Sequence, residues 1–192
     1  QPQPLAHRVA RLLAVLLLNF GVLGYLNIRL HRAHLEAARL DSAQRLSRVV
    51  QRSTSYHMLR NDREALRQIV QTIGGEPGII RLRIMDDSSR VGFSTDPREI
   101  GSRVIIPGSA VPLQQARIFT TGSRRVLGIT TPIPNSPTCS SGGCHAHPAS
   151  QQMLGLLDVN LSLEEADADV RNASWQFVSY SALAILLTLA TM

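Results

Sequence analysis

A chain of 192 residues accommodates one domain plus accessory segments. Its net charge of +6 is carried by arginine alone, since the sequence contains no lysine. These arginines are scattered and not interleaved with aromatics, and several flank an apolar run, which argues against a nucleic-acid partner. Aromatics make up only 4% of the residues, so any core must be built mostly from Leu, Ile, Val and Ala; two cysteines are too few for a disulfide scaffold.

The first element is the apolar run Leu12 to Ile28, interrupted only by Asn19 and Asn27. With Val9 and Ala10 it reaches roughly 20 residues, the length that crosses a bilayer core. His7, Arg8 and Arg11 precede it, Arg29, His31 and Arg32 follow it, and Tyr25 is placed for the interface. A buried core helix of this length shows a polar face, which this run lacks. A cleaved signal peptide requires a small-residue site after the run, and none follows. Residues 1–29 are therefore predicted to form an N-terminal transmembrane helix.

Residues 30–60 continue without Gly or Pro, and Leu35, Leu40, Leu46, Val49 and Val50 recur at helical spacing among charged positions. This predicts a stalk helix whose apolar stripe packs on the sheet of the domain or on a second copy. Asn61-Asp62-Arg63-Glu64 reads as the start of another helix, with Asn61 or Asp62 as cap. That helix runs to about Ile73 and is stopped by Gly74-Gly75-Glu76-Pro77-Gly78.

The period then changes to two. Ile79 to Met85 (IIRLRIM) alternates apolar residues with Arg, as a half-buried strand does. Asp86 to Ser89 is a turn and Val91 to Ser94 a short strand. Ala116 to Thr121 and Val126 to Pro132 form a hairpin around Gly122-Ser123-Arg124. Met153 to Leu161 is a fifth strand, which completes one antiparallel sheet within residues 61–163. Ser162 is a candidate N-cap for the last helix, with Glu165 at the capping-box position. Residues 164–192 lead through Trp175 into a second apolar run, Phe177 to Met192. Trp175 and Tyr180 suit an interface. At 16 residues the run falls short of a full span, so the natural chain is expected to continue past Met192; the initial Gln also suggests a processed or partial chain.

The stretch Pro137 to Pro148 reads PTCSSGGCHAHP. Cys139, a four-residue spacer, Cys144 and His145 form a lengthened version of the Cys-x-x-Cys-His signature for c-type haem. Two thiols bond the porphyrin vinyl groups and the adjacent His145 reaches the iron as proximal ligand. His147, Met153, His57 and Met58 are candidates for the sixth position, with His147 too close in sequence to His145 to reach the opposite face of the same iron. A Cys139–Cys144 disulfide, a zinc site of Cys139, Cys144, His145 and His147, and a motif without a ligand stay open as alternatives. Asp158 reads as a polar strand position, and Glu164, Glu165, Asp167 and Asp169 as a solvated helix face. No nucleophile–base or carboxylate pair stands out, so an enzyme is not predicted.

The segments IIRLRIMDDSSRVGFSTDPREIG (79–101) and TPIPNSPTCSSGGCHAHPASQQMLGLLDVNLSL (131–163) resemble the periplasmic input region of bacterial haem-c sensor histidine kinases and chemoreceptors. The resemblance implies an α+β, PAS/Cache-like fold: a five-stranded antiparallel sheet with a long N-terminal helix, flanked by two transmembrane helices. It also implies a homodimer with a periplasmic domain at the bacterial inner membrane. Two spans put both termini on one side, which is the cytoplasm if the cysteine motif binds haem covalently. Many relatives carry another Cys-x-x-Cys-His after the segment matching Glu99-Ile100-Gly101; here residues 102–116 contain neither Cys nor His. Residues 1–192 themselves contain no segment resembling a kinase region. The expected function is therefore signal input, with one covalent haem at most. The alternative is an accessory subunit among the membrane-protein subunits of a respiratory or photosynthetic electron-transfer complex.

Overall fold

In a computed structural model the described residues are 5–106, 114–141 and 147–190. They form two compact units. One comprises the described residues up to 38 and from 164 onward, the other those between 39 and 163. The division at residue 38 falls within the stretch read as a stalk, so the rest of that helix belongs to the sheet unit.

The elements run α1 (Leu5–Leu59), α2 (Arg63–Gly74), β1 (Ile79–Asp86), β2 (Val91–Ser94), a 3-10 turn (Pro97–Glu99), β3 (Gln115–Thr121), β4 (Arg124–Pro134), α3 (Pro137–Ser140), β5 (Met153–Ser162) and α4 (Glu164–Ala190). The five strands make one antiparallel sheet in the order β2-β1-β5-β4-β3. This is the expected α+β architecture, and each expected strand is present with ends shifted by a few residues at most.

In the helical unit, α1 from residue 5 to 38 and α4 expose Leu17, Leu18, Leu23, Leu183, Leu186 and Leu187 to the surroundings. Both helices are long and apolar enough to cross a membrane. They approach closely where Gly24 faces Phe177: a Cβ on Gly24 would lie 2.4 Å from the ring.

In the sheet unit, the part of α1 from residue 39 onward lies along one face of the sheet. Ala43, Ser47, Val50 and Thr54 are buried at spacings of four, three and four, which is one helical stripe. Val50 and Val70 pack against Leu82, Ile84, Leu157 and Val159, while Ala43 packs against Leu127, Ile129 and Leu163. The stripe is therefore built largely of small residues. Val49, assigned to it from spacing, is exposed. Small side chains bring the helix backbone close, and Ser47 Oγ meets Thr131 Oγ1 at 2.6 Å across the interface.

Local chemistry sets the connections. Asp62 caps α2, its carboxylate accepting from the Ala65 N–H at 3.1 Å. Asp86 Oδ1 accepts from the N–H groups of Ser88 and Arg90, both at 2.9 Å, which closes the β1–β2 turn. Gly122 takes φ +61° at the first loop position of the β3–β4 hairpin, as a II′ turn requires. The capping assignment at Ser162 is corrected. Ser162 ends β5, its N–H bonds to the Gly78 carbonyl at 2.8 Å, and α4 starts at Glu164. Pairing to the sheet holds Ser162 in the strand.

Candidate functional site

Strand alternation sends Leu82, Ile84, Leu157, Val159, Leu127 and Ile129 toward the helices, so their neighbours face the other way. Register then assembles two rows on that second face. Arg83 of β1 lies opposite Asp158 of β5, which lies opposite Thr130 of β4. Next to them run Arg81, Asn160, Gly128 and Arg117, drawn from β1, β5, β4 and β3 in turn.

These side chains form a connected network. Asp158 is 0% exposed and Arg83 6%. Arg83 donates to Asp158 Oδ2 from Nη2 at 2.6 Å and from Nε at 3.2 Å. Asn160 Nδ2 donates to the same oxygen at 3.1 Å. Arg117 Nη2 and Thr130 Oγ1 each donate to Oδ1 at 3.2 Å. Glu99, from the 3-10 turn, lies 3.4 Å from Arg83 and 3.3 Å from Arg81. The turn is itself held by Asp96, which caps it and pairs with Arg98; hydrogen bonds from the Arg98 side chain and then its N–H lower the Asp96 pKa to about 2.

Above the second row lies a cavity of about 330 Å³, lined by Arg81, Arg83, Arg117, Asn160, Phe119 and Ile106 among others. Gly128 leaves the space under it: a Cβ there would meet Asn160 Oδ1 at 2.9 Å and the Phe119 ring at 3.0 Å. The chain after β2 covers part of this face, with Ile106 buried among Met85, Val91 and Leu156.

Alternation in β1 therefore marks the two faces correctly, but the arginine face is covered. Asp158, a polar strand position by sequence, anchors the buried network. The signal that could have found it is the pairing of a lone acidic position in one predicted strand with arginines in two others, once the sheet order is known.

A second cleft, about 770 Å³, opens where the end of α1 overlies the ends of β1 and β4 and the start of β5. Its walls include Ile84, Phe93, Ile133 and Leu154. Met58, Cys139 and His147 also line it, so three of the sequence candidates meet there. Cys139 sits on α3, with Sγ 3.0 Å from Ser136 Oγ, and its carbonyl accepts the His147 N–H at 3.1 Å. Cys144 and His145 lie outside the described residues. His57 is not among the lining residues; its Nδ1 lies 3.4 Å from Asp62 Oδ2. Met153 packs beside the cluster of Met85, Val91, Ile106 and Leu156. Among the described residues no three His, Cys, Asp or Glu side chains gather as a metal site.

No family model and no curated protein matches the chain. Among solved structures, the sensor domain of the V. cholerae histidine kinase DctB is similar with a TM-score of 0.53 and 11% identity, over 82% of this chain and 61% of that one. The periplasmic domain of RsbU from Chlamydia trachomatis gives a TM-score of 0.49 and 14% identity, over 86% of this chain and 58% of that one. The chain thus spans about three fifths of each of those structures. The likeness to the DctB domain is one of fold.

Proposed function

We propose that this chain is a non-catalytic signal-input module of PAS/Cache-like type. Two membrane-spanning helices hold residues 39–163 on the periplasmic side of a bacterial inner membrane, with both termini cytoplasmic. The exposed apolar surfaces of α1 and α4 support the anchoring, because lipid is the solvent that such surfaces prefer. The fold of the DctB sensor domain supports the input role.

The observation that carries the reading is the course of β5. It holds Asp158 and Asn160 at the second face, ends at Ser162, and continues into α4 with only Leu163 between. A change at the cavity floor has one residue of chain to cross before it reaches an apolar helix. Trp175 on α4 is the sole tryptophan of the sequence and is 71% exposed, so it reports on that helix. Gly128→Ala places a methyl group against Asn160, Phe119 and Arg117. In the full chain in lipid nanodiscs it should shift Trp175 emission. Emission identical to the parent, in a variant that keeps the parent's circular dichroism, would remove the input reading.

The large cleft is proposed to hold one c-type haem. The described residues fit such a group: a thiol at Cys139, an apolar wall and a side chain of ligand type at Met58 share one cleft. Cys139 and Cys144 would carry the thioether bonds and His145 the proximal bond, with Met58 and His147 the sixth-ligand candidates that line the cleft. Bound there, haem supplies an iron that responds to redox state or to a gas. Gentle extraction followed by native mass analysis tests the assembly. A homodimer is expected. Fixed-ratio co-purification with cytochrome or pigment subunits would establish the accessory role instead.

A further inference from the structure

We propose that Arg63 and Arg90 form a carboxylate seat at one end of the large cleft and hold there the two propionates of the haem. The assignment rests on the haem reading of that cleft and names what orients the group within it.

The cleft has two chemically different ends. It follows the end of the sheet where β1 stops at Asp86, β4 stops at Pro134 and β5 starts at Met153. Cys139 and His147 line it beyond β4, and Arg63 and Arg90 line it on the side of β2. Two contacts place the guanidinium groups. That of Arg63, in the first turn of α2, lies 5.3 Å from the centroid of the Phe93 ring on β2. Arg90, just before β2, donates from Nη1 to the Gly101 carbonyl at 3.0 Å. In the order β2-β1-β5-β4, three strand spacings separate β2 from β4, about 14 Å. Ile84, Leu154 and Met58 line the interval.

An iron porphyrin is divided in the same way. Its ring is apolar, two vinyl groups stand on one edge, and two ionised propionates stand on the opposite edge. A thioether bond at Cys139 ties the vinyl edge to the β4 side, which leaves the propionate edge facing the β2 side. Carboxylates brought against an apolar wall need donors. A guanidinium presents five N–H donors in a planar fork that a carboxylate accepts in pairs. Among the described residues neither arginine is held by an ion pair: Arg63 has the Phe93 ring and Arg90 a backbone carbonyl. Asp86 is the one carboxylate among the described lining residues. Its Oδ1 is occupied by the Ser88 hydroxyl and by the N–H groups of Ser88 and Arg90. Two positive charges against one negative leave the seat electropositive. Both arginines are exposed, which puts the seat at the rim of the cleft.

The test is a redox titration of the haem-loaded full chain in nanodiscs, followed by visible absorbance across a pH series. A cation beside haem favours the reduced iron and keeps a propionate ionised. Arg63→Gln and Arg90→Gln should therefore each lower the midpoint potential. Each should also move the pH range over which the potential varies upward by about one unit. Asp86 and His147, the other ionisable groups of the cleft beside Cys139, are unchanged in these variants. Arg63→Lys keeps the charge and should stay closer to the parent than Arg63→Gln. Arg67→Gln removes a charge from the same helix, where Arg67 pairs with Glu64 and does not line the cleft, and should change neither reading. The assignment is overturned if Arg63→Gln and Arg90→Gln keep their haem and match the parent, or if Arg67→Gln shifts the potential as much as they do. A variant of either cleft arginine that keeps the parent's circular dichroism but fails to load haem supports the seat as well. A parent chain without covalent haem on a stained gel is a different failure: it removes the haem reading, and the seat falls with it.

Discussion

Asp158→Ala removes the carboxylate at the centre of the buried network. In the parent, that carboxylate accepts from Arg83 twice, and from Arg117, Thr130 and Asn160 once each. Arg117 can turn toward solvent, since its side chain is 27% exposed, but that of Arg83 is 7% exposed and cannot. The variant therefore leaves a buried positive charge, with Glu99 at 3.4 Å as its remaining partner. Breaking a buried ion pair in this way costs about 3–5 kcal/mol. For a sheet unit of this size, that cost lowers the midpoint of thermal unfolding by roughly 10–20 °C. Circular dichroism of the full chain in detergent measures the shift, with hydrogen exchange of the β1 and β5 amides assigning it to the sheet. The double variant Asp158→Leu/Arg83→Met removes both charges and should recover most of the loss, because apolar replacement of a buried pair is often near neutral. A midpoint within about 3 °C of the parent for Asp158→Ala, less than 1 kcal/mol, would show that Arg83 reaches water and that the network is not buried. A double variant worse than the single one would refute the charge argument.

Gly155→Ala should be severe: the added Cβ would lie 2.1 Å from the Met85 carbonyl oxygen, a backbone atom that cannot move without opening the β1–β5 ladder. Loss of folded protein, or a midpoint lowered by more than about 5 °C, is expected in the same melt. Asp96 should titrate near 2 by carboxyl carbon NMR, and Arg98→Ala should raise it toward 3.8 by removing the largest cause of the depression. Because this carboxyl is depressed on folding, its contribution to stability is complete above pH 3.8 and is lost as pH falls through about 2. Cys144→Ala should abolish covalent haem on a haem-stained gel while leaving membrane insertion intact; a full haem signal would end the attachment claim.

The sheet was legible because IIRLRIM and MLGLLDVNL carry period-two or continuous apolar patterns bounded by turn residues. The N-cap of α4 was misassigned because Ser162 satisfies two local rules at once, and pairing with the neighbouring segment at Gly78 decides between them, while the helix starts at Glu164 as expected. The helix stripe was read from its largest residues, of which Val50, Leu46 and Leu40 do pack on the core, but close packing also selected Ala43, Ser47 and Thr54 and left Val49 outside. The charged network was not legible for a different reason. Alternation divides a strand between two faces, but says nothing of whether a distant segment covers the polar one. Here the residues around Ile106 do so, and only strand order brings Arg83 and Arg117 to either side of Asp158. That Cys139 and His147 line one apolar cleft with Met58 depends on where α1 ends, which the sequence alone does not fix.

The central claim is that the apolar part of α1, Leu12 to Ile28, and that of α4 lie in lipid while the sheet unit stands outside the cytoplasm. Trypsin added to sealed right-side-out membrane vesicles tests it directly, with the fragments identified by mass spectrometry. Cleavage at arginines within residues 39–163, such as Arg98 with its side chain 90% exposed, is the predicted result. Protection of that region in these vesicles, together with cleavage in inverted ones, would contradict it.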